Sequence, residues 1–329
     1  MENILNKNTT NEKETISQQN NVNNQEIVAK HESKVNQPND DNKKTKKLNK
    51  KQLVKELVAK TNNKVFIANW KMNFKFADIK SFFAIFNKLI GKDKVLKRME
   101  NVVIGVAPTA IGLLPVCGMA KHGIVTVAQD THYKEKGPYT GCISYEQVHE
   151  YGINYVIVSH SEKRIIFNWK YSDVNEEIKV LLENEMIPIL CIGETFEEKA
   201  ADETKKSFTK QLLNFLKDVT SDRAKKVIIA YEPIWAVGKE PATVEEIRNN
   251  VTLIRSIIAD MYDETVAKDI HVIYGGGIDA NNAAEILSIR SVDGFLLGRV
   301  GLDPEAFYKI IKFSPEYIES EKIINVKNK

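Results

Sequence analysis

Cysteine is scarce in this chain of 329 residues, which contains only Cys117, Cys142 and Cys191. The three stand far apart, with no Cys-x-x-Cys pair and no Cys/His cluster at metal-ligand spacing. This distribution argues against a disulfide framework and against a zinc site. It suits a reducing compartment, so we expect a cytoplasmic protein.

Long apolar runs are also missing. The N-terminus, MENILNKNTTNEKETIS, has no apolar core of the kind found in secretory signals, and no uncharged apolar run reaches about 18 residues. We therefore expect neither a signal peptide nor a membrane span. A formal net charge of +3 indicates no particular partner.

Aromatic residues are absent before Phe66. Residues 1–62 are rich in Asn, Lys, Gln, Glu and Thr, and such a segment buries too little apolar surface to fold alone. We expect a disordered N-terminal extension, with a possible short helix at 48–60. Its lysine-rich part, 43–60, is either a solvated linker or a weak site for RNA or another anionic surface. The lack of interleaved aromatics and of arginine favours the linker, so no nucleic-acid partner is expected, although binding through this tail stays open.

From residue 64 onward, short apolar runs alternate with helical patterns. The runs are KVFIANW (64–70), NVVIGVAP (101–108), IVTVAQD (124–130), NYVIVSH (154–160), MIPILCIG (186–193), KVIIAYE (226–232), IHVIYGG (270–276) and VDGFLLG (292–298). The helical patterns cover 75–90, 173–185, 203–218, 243–260 and 281–288. This alternation predicts an α/β domain at 63–329, a closed (β/α)8 TIM barrel with eight parallel strands. A doubly wound open sheet is the alternative, but it would need a Gly-x-Gly-x-x-Gly turn after the first strand, where the chain reads NWKMN.

Polar residues and glycines close several of these predicted strands. They are Asn69 and Lys71, His160 and Glu162, Glu232, and the glycines 275–277 and 298. Because the active site of such a barrel lies at the carboxyl edge of its strands, we expect all of them at one site.

Glu232 and His160 are the candidate acid–base pair. Glu232 ends an apolar strand, so partial desolvation should raise its pKa and make it a usable base, unless it simply pairs with a neighbouring cation. His160 precedes a helix start, which favours a neutral imidazole, although a satisfied structural histidine is the alternative.

Lys71 and the glycines are candidates for binding an anion. If the extended alternation continues past the first strand, Lys71 and Asn69 point to the same side, where an ammonium group suits an anionic substrate. The glycines after the seventh and eighth strands can form a phosphate nest, or can simply serve tight turns.

Four motifs, NWKMN (69–73), HSEKR (160–164), YEPIWAVG (231–238) and YGG (274–276), resemble the signatures of the triosephosphate isomerase family. CIGE (191–194), GPYTG (137–141) and DGFLLG (293–298) support the resemblance, which runs from about 64 to 311. It implies interconversion of dihydroxyacetone phosphate and D-glyceraldehyde 3-phosphate, without metal or organic cofactor.

The resemblance also implies roles for individual residues. Glu232 would move a proton between C1 and C2, neutral His160 would polarise the carbonyl, and Lys71 would steady the negative charge. Asn69 would position the substrate, and Glu162 would orient Lys71 or assist proton transfer. Backbone groups of four further residues would hold the phosphate, namely Gly238, Gly277, Gly298 and Arg299. The family is usually a homodimer, and Thr140 matches the residue that reaches into the partner's active site.

The sequence departs from the family pattern at the interface and in the fourth strand. The usual Gly-His-Ser-Glu-Arg-Arg begins with Ser159 and carries Lys163, while Cys142 replaces a glutamate. That glutamate commonly pairs with the arginine replaced by Lys163, so we expect a weaker or differently bonded interface.

The phosphate site and the lid also differ. Gly277 replaces a serine, and Arg299 replaces the second glycine of the last motif. Pro233 and Trp235 would form the stiff hinge of a lid with Val237-Gly238 at its tip. The lid is one residue shorter than usual, with Pro241 in its second hinge.

Two other functions remain open at this point. The barrel could be a weakly active or moonlighting binding protein that acts through its basic tail. It could also be another phosphate-binding barrel isomerase, which HSEKR and YEPIW disfavour.

Overall fold

The structure, a computed structural model, describes residues 64–99, 102–236 and 240–327. The expected N-terminal extension, with its possible helix at 48–60, and the lid residues Val237 and Gly238 lie outside these ranges. The described strands are β1 (Lys64–Asn69), β2 (Val102–Ala107), β3 (Val125–Ala128), β4 (Tyr155–Val158), β5 (Ile187–Ile192), β6 (Ile228–Tyr231), β7 (His271–Tyr274) and β8 (Gly294–Leu297).

These strands form a closed parallel barrel in chain order, which confirms the predicted fold. β1 pairs with β2 along its whole length, from Lys64 beside Val102 to Asn69 beside Ala107. β8 closes the barrel against β1. Gly294 makes this closure possible, because its φ is +141° and a Cβ there would lie 1.9 Å from the carbonyl oxygen of Val65.

Helices surround the barrel. They are α1 (Phe76–Lys92), α2 (Leu113–Met119), α3 (Tyr145–His149), α4 (Ser161–Ile166), α5 (Tyr171–Glu183), α6 (Phe196–Ala200), α7 (Thr204–Phe215), α8 (Ser221–Ala224), α9 (Val244–Met261), α10 (Glu264–Asp269), α11 (Ala283–Leu287), α12 (Pro304–Lys312) and α13 (Pro315–Lys327). Short 3-10 turns cover Leu96–Arg98, Ala110–Gly112, Ile234–Ala236 and Arg299–Leu302. Each of the five helical patterns predicted after residue 64 corresponds to a helix, with its ends within three residues of the predicted ones.

Two apolar layers explain why the strands read as continuous hydrophobic runs. Val65 and Ile67 belong to the cluster inside the barrel. Phe66 and Ala68 belong to the larger cluster between the barrel and the helices. Every residue of β1 is buried, so alternation of apolar and polar residues is not needed in such a strand.

The last helix, α13, is hydrogen-bonded to the buried carboxylate of Asp93, which follows α1. Asp93 accepts the hydroxyl protons of Tyr308 at 2.6 Å and of Tyr317, on α13, at 2.8 Å. It also accepts the backbone N–H groups of Val95 and Leu96. Among the helices that the structure describes, none is long and apolar enough to cross a membrane.

Candidate active site

Glu232 directly follows β6 and lies between two glycines at the ends of neighbouring strands. Its backbone N–H donates to the carbonyl of Ile192 at 2.8 Å. A Cβ on Gly193 would lie 1.7 Å from the carbonyl oxygen of Glu232, and one on Gly275 would lie 2.9 Å from its Cγ. The side chain is only 4% exposed. The two glycines therefore create the space into which a carboxylate is buried at the edge of the barrel.

The Glu232 carboxylate is held by the start of the fourth βα unit. Its Oε1 lies 3.0 Å from Nε2 of His160, and its Oε2 accepts the backbone N–H of Ser161 at 3.2 Å. A carboxylate and an imidazole are thus in direct hydrogen-bond contact across the mouth of the barrel.

The pKa of Glu232 differs from the sequence-based expectation. Burial does raise it, as expected, but the charge and hydrogen bond of His160 and the N–H of Ser161 act in the opposite direction. The net pKa of Glu232 is lowered. The expectation was wrong because a desolvated carboxylate with two hydrogen-bonding partners is stabilised in its charged form.

His160 is the residue immediately before α4, and its ring is oriented by the helix backbone. Nδ1 accepts the N–H of Glu162 at 3.2 Å, which assigns the proton of a neutral ring to Nε2, facing Glu232. Burial lowers the pKa of His160, but the carboxylates of Glu232 and Glu162 raise it further than burial and Lys71 lower it. The net effect is a raised pKa of His160, whereas the helix N-terminus alone would lower this pKa.

Lys71 contacts the same helix from the other side. Its Nζ lies 2.7 Å from Oε1 of Glu162. The alternation assumed after β1 does not hold, because Lys71 has a left-handed backbone with φ +49°. Its N–H donates to Oδ1 of Asn69 at 3.0 Å, and Gln129 donates to its carbonyl at 2.9 Å. Non-glycine residues in this conformation cost free energy and are concentrated at functional sites.

A cavity of about 500 Å³ opens beside these groups. Its inner wall includes Asn69, Lys71, His160 and Glu162. Its outer wall includes Asp130, Cys142, Lys163, Phe167 and Trp169. The inner wall presents an ammonium group and an amide beside the imidazole, so it suits a small anionic, oxygen-rich ligand.

The glycine-rich turns lie after β7 and β8, as predicted. A Cβ on Gly276 would lie 2.0 Å from the hydroxyl of Tyr274, and one on Gly277 would lie 3.0 Å from Cβ of Pro241. Gly298 faces open space and precedes the 3-10 turn that begins with the exposed Arg299. Gly238 lies outside the described residues.

The residues predicted at a subunit interface have partners within their own chain or are exposed. Lys163 pairs with Asp130 at 2.6 Å, and its Nζ lies 4.7 Å from the centre of the Trp169 ring. Thr140 and Cys142 are exposed in the segment between β3 and α3. Replacement of an arginine by Lys163 therefore leaves a cation that is already paired inside one subunit.

Sequence reasoning missed three groups that shape the site. The N–H of Ser161 carries no sequence signal beyond the helix start. Gln129 directly follows β3, so its polar side chain at a strand end was a usable signal. Cys191 points into the barrel near Glu232, and burial raises its pKa well above the usual range, so the thiol stays protonated. Within the described part of the chain, no group of His, Cys, Asp and Glu is placed to hold a metal ion.

Comparison with known proteins agrees with this geometry. A family model described as triosephosphate isomerase matches residues 64–314. The triosephosphate isomerase of Mycoplasmoides gallisepticum is 36% identical over 245 residues, which cover 74% of this chain and 95% of the relative. The triosephosphate isomerase of Pediococcus pentosaceus is 34% identical over 251 residues, covering 76% of this chain and 98% of the relative.

A third relative shows the same degree of similarity. The triosephosphate isomerase of Francisella philomiragia is 34% identical over 249 residues, which cover 75% of this chain and 96% of the relative. The match with the family model spans the barrel and includes the strand ends that carry Lys71, His160 and Glu232. This chain belongs to the triosephosphate isomerase family.

Proposed function

We propose that this chain interconverts dihydroxyacetone phosphate and D-glyceraldehyde 3-phosphate by proton transfer through an enediolate, a reaction of glycolysis and gluconeogenesis. The observation that carries the proposal is the contact between Glu232 and His160, with Lys71 and Glu162 on the adjoining wall of the cavity. Membership of the triosephosphate isomerase family supports the same activity.

Glu232 is the base of the proposed reaction. Its carboxylate removes a proton from C1 of the ketone, while Nε2–H of His160 donates a hydrogen bond to the carbonyl oxygen at C2. The charge that develops on this oxygen is stabilised by Lys71. The proton is then returned by Glu232 to C2, and His160 moves a proton between the two oxygens, so the atoms of ketone and aldehyde balance.

The other proposed residues position the substrate. Asn69 orients the backbone of Lys71, because its Oδ1 accepts the backbone N–H of Lys71. Glu162 orients the ammonium group of Lys71, which donates to its Oε1. Backbone N–H groups of the turns after β7 and β8 bind the phosphate dianion. The residues proposed for this are Gly277, Gly298 and Arg299, together with Gly238.

We also propose that the protein is a homodimer. Ile165, Ile166 and Phe167 are large apolar side chains that are more than 60% exposed next to the outer wall of the cavity. Such an exposed apolar group is typical of an interface. Thr140 would insert into this part of the partner, and the pairing of Lys163 with Asp130 fits an interface without the usual ion pair.

Location and domain organisation are part of the same proposal. The cysteines of the described residues are all free thiols, which suits the cytoplasm. The family match begins at residue 64, which supports a catalytic domain at 63–329 and a separate extension at 1–62.

A coupled isomerase assay on the full chain tests this function. We expect the wild-type protein to be active and His160→Gln to lower kcat by roughly 10²- to 10⁴-fold, the usual contribution of a general acid. Circular dichroism and the melting temperature check that the variant is folded. An inactive wild-type protein, or a fully active His160→Gln variant, would contradict the proposal.

A further inference from the structure

Lys199 lies on α6 and does not line the cavity. It nevertheless contacts the 3-10 turn that follows Glu232 and the first turn of α9. Its Nζ lies 3.2 Å from the centre of the Trp235 ring and 2.6 Å from Oε1 of Glu246. Trp235 belongs to the 3-10 turn that follows Glu232, and Glu246 belongs to the first turn of α9. One ammonium group therefore joins the two ends of the connection between β6 and α9.

The Trp235 turn is also hydrogen-bonded to Glu194, in the segment that follows β5. The indole N–H of Trp235 donates to Oε1 of Glu194 at 2.8 Å, and this carboxylate is completely buried. The hydroxyl of Tyr231 donates to the same oxygen at 3.1 Å. In addition, the N–H of Ile234 donates to the carbonyl of Glu194 at 3.2 Å. The indole is thus held at its edge by Glu194 and on its face by Lys199.

The Glu246 end is fixed by the helix start. Oε2 of Glu246 accepts both the N–H and the hydroxyl of Thr243 at 2.8 Å, while Oγ1 of Thr243 accepts the N–H of Glu246. This reciprocal arrangement is a capping box, which defines where α9 begins. Because its two oxygens are used separately, Glu246 binds Lys199 without giving up the cap.

We propose that Lys199 is a positioning residue that fixes the Trp235 turn relative to α9 and so holds Glu232 in its reactive orientation. This inference rests on the proposed function, since Lys199 acts through Trp235 and touches neither substrate nor base. An isolated exposed ion pair contributes little. Here the ammonium is shared between a carboxylate and an aromatic face, both of which are fixed by further hydrogen bonds, so the bridge restrains the backbone on each side.

Replacing the charge while keeping the stem tests the role. Lys199→Met should lower kcat roughly threefold to tenfold, the range of a cation–π contact and one ion pair, with KM changed less than about twofold. Lys199→Arg should restore kcat, because a guanidinium can also lie on an indole and pair with a carboxylate. Lys205→Met is the matched control, since Lys205 is an exposed lysine of the neighbouring helix α7 and does not line the cavity; its kcat should equal that of the wild type.

A spectroscopic measurement separates this contact from a general loss of stability. Lys199→Met should change tryptophan emission in the wild-type background, and the change should vanish in the Trp235→Phe background. An unchanged kcat in Lys199→Met, a loss that Lys199→Arg does not restore, or an emission change that persists without Trp235 would each overturn the inference. An active wild-type enzyme with a normal kcat in Lys199→Met contradicts only the role of Lys199, whereas an inactive wild-type enzyme contradicts the proposed function itself.

Discussion

Oε1 of Glu232 and Nε2 of His160 lie 3.0 Å apart, so the proposed base and the proposed proton donor are hydrogen-bonded to each other. A substrate whose carbon faces Glu232 and whose oxygen faces His160 must replace this contact with two new ones. The carboxylate then leaves His160, which removes the main influence that raises the pKa of the imidazole. Substrate binding therefore favours the neutral ring that the reaction requires.

The turn after β7 is predicted to depend on Pro241. Gly277 does not need glycine for its backbone, since its φ is not positive, but a Cβ there would lie 3.0 Å from Cβ of Pro241. Gly277→Ala should push the turn and Pro241 apart and raise KM by roughly threefold to tenfold, equivalent to about one hydrogen bond to phosphate. Steady-state kinetics measure the change, with inhibition by inorganic phosphate as a second readout.

Two further variants make this test specific. In a Pro241→Gly background, Gly277→Ala should raise KM much less, because the Cβ atom that the new methyl group would meet at 3.0 Å is then absent. Gly118→Ala is the control, since nothing lies within 4 Å of a Cβ at that position on α2. Equal effects of Gly277→Ala with and without Pro241 would show that the contact is irrelevant.

Ser159 is predicted to destabilise the fold. Its φ is +60°, and its hydroxyl is buried without a hydrogen-bond partner among the described residues. Ser159→Gly should raise the free energy of unfolding by about 1 kcal/mol, because relief of the left-handed conformation and of the unpaired hydroxyl exceeds the added entropy of glycine. Urea unfolding at one fixed protein concentration measures this difference.

Asn168→Gly is the matched control for Ser159→Gly. Asn168 has a similar φ of +53°, but asparagine tolerates this conformation and its side chain is exposed. We expect little change or a small loss of stability. A Ser159→Gly protein that is no more stable than Asn168→Gly would show that Ser159 is not strained.

Asp130 is predicted to make stability depend on pH. Burial raises its pKa from 3.8 to about 6, although Lys163 acts against this. Because the folded-state pKa is the higher one, this contribution to stability is fully present below pH 3.8 and is lost as pH rises through about 6. Relative to that of Asp130→Asn, the free energy of unfolding of the wild type should therefore fall by up to about 3 kcal/mol as the pH rises from 3.8 to above 6.

Urea unfolding of wild type and Asp130→Asn at matched pH values between about 4 and 7 measures this loss. Asp222→Asn provides the control, since the Asp222 side chain is 97% exposed. The difference between wild type and Asp222→Asn should stay nearly constant over the same range. A constant difference for Asp130→Asn as well would contradict the assigned shift.

The strand ends could be predicted from the sequence because their physical cause is local. A continuous apolar run closed by Glu232 or by His160 indicates both a buried parallel strand and a polar group at its carboxyl edge. The contact between these two residues depends on where neighbouring strands end in space, which spacing along the chain does not specify. For the same reason the sequence suggested a raised pKa for Glu232, whereas its partner lowers it.

The backbone of Lys71 was beyond sequence reasoning for a different cause. Its left-handed conformation is compensated by long-range hydrogen bonds, including that of Gln129 to its carbonyl. Lysine has no intrinsic preference for this region, so only the assembled barrel determines it. Lys163 shows the same limit, because its pairing with Asp130 joins two βα units that are apart in sequence.

The identity of the base is the central claim, and Glu232→Asp tests it most directly. Shortening the side chain moves the carboxylate back by about 1 Å, which should lower kcat roughly 10²-fold in the coupled isomerase assay while the melting temperature changes little. Glu245→Asp, which shortens an exposed carboxylate at the start of α9, should leave kcat unchanged. A Glu232→Asp protein with the kcat of the wild type would contradict the assignment of Glu232 as the base.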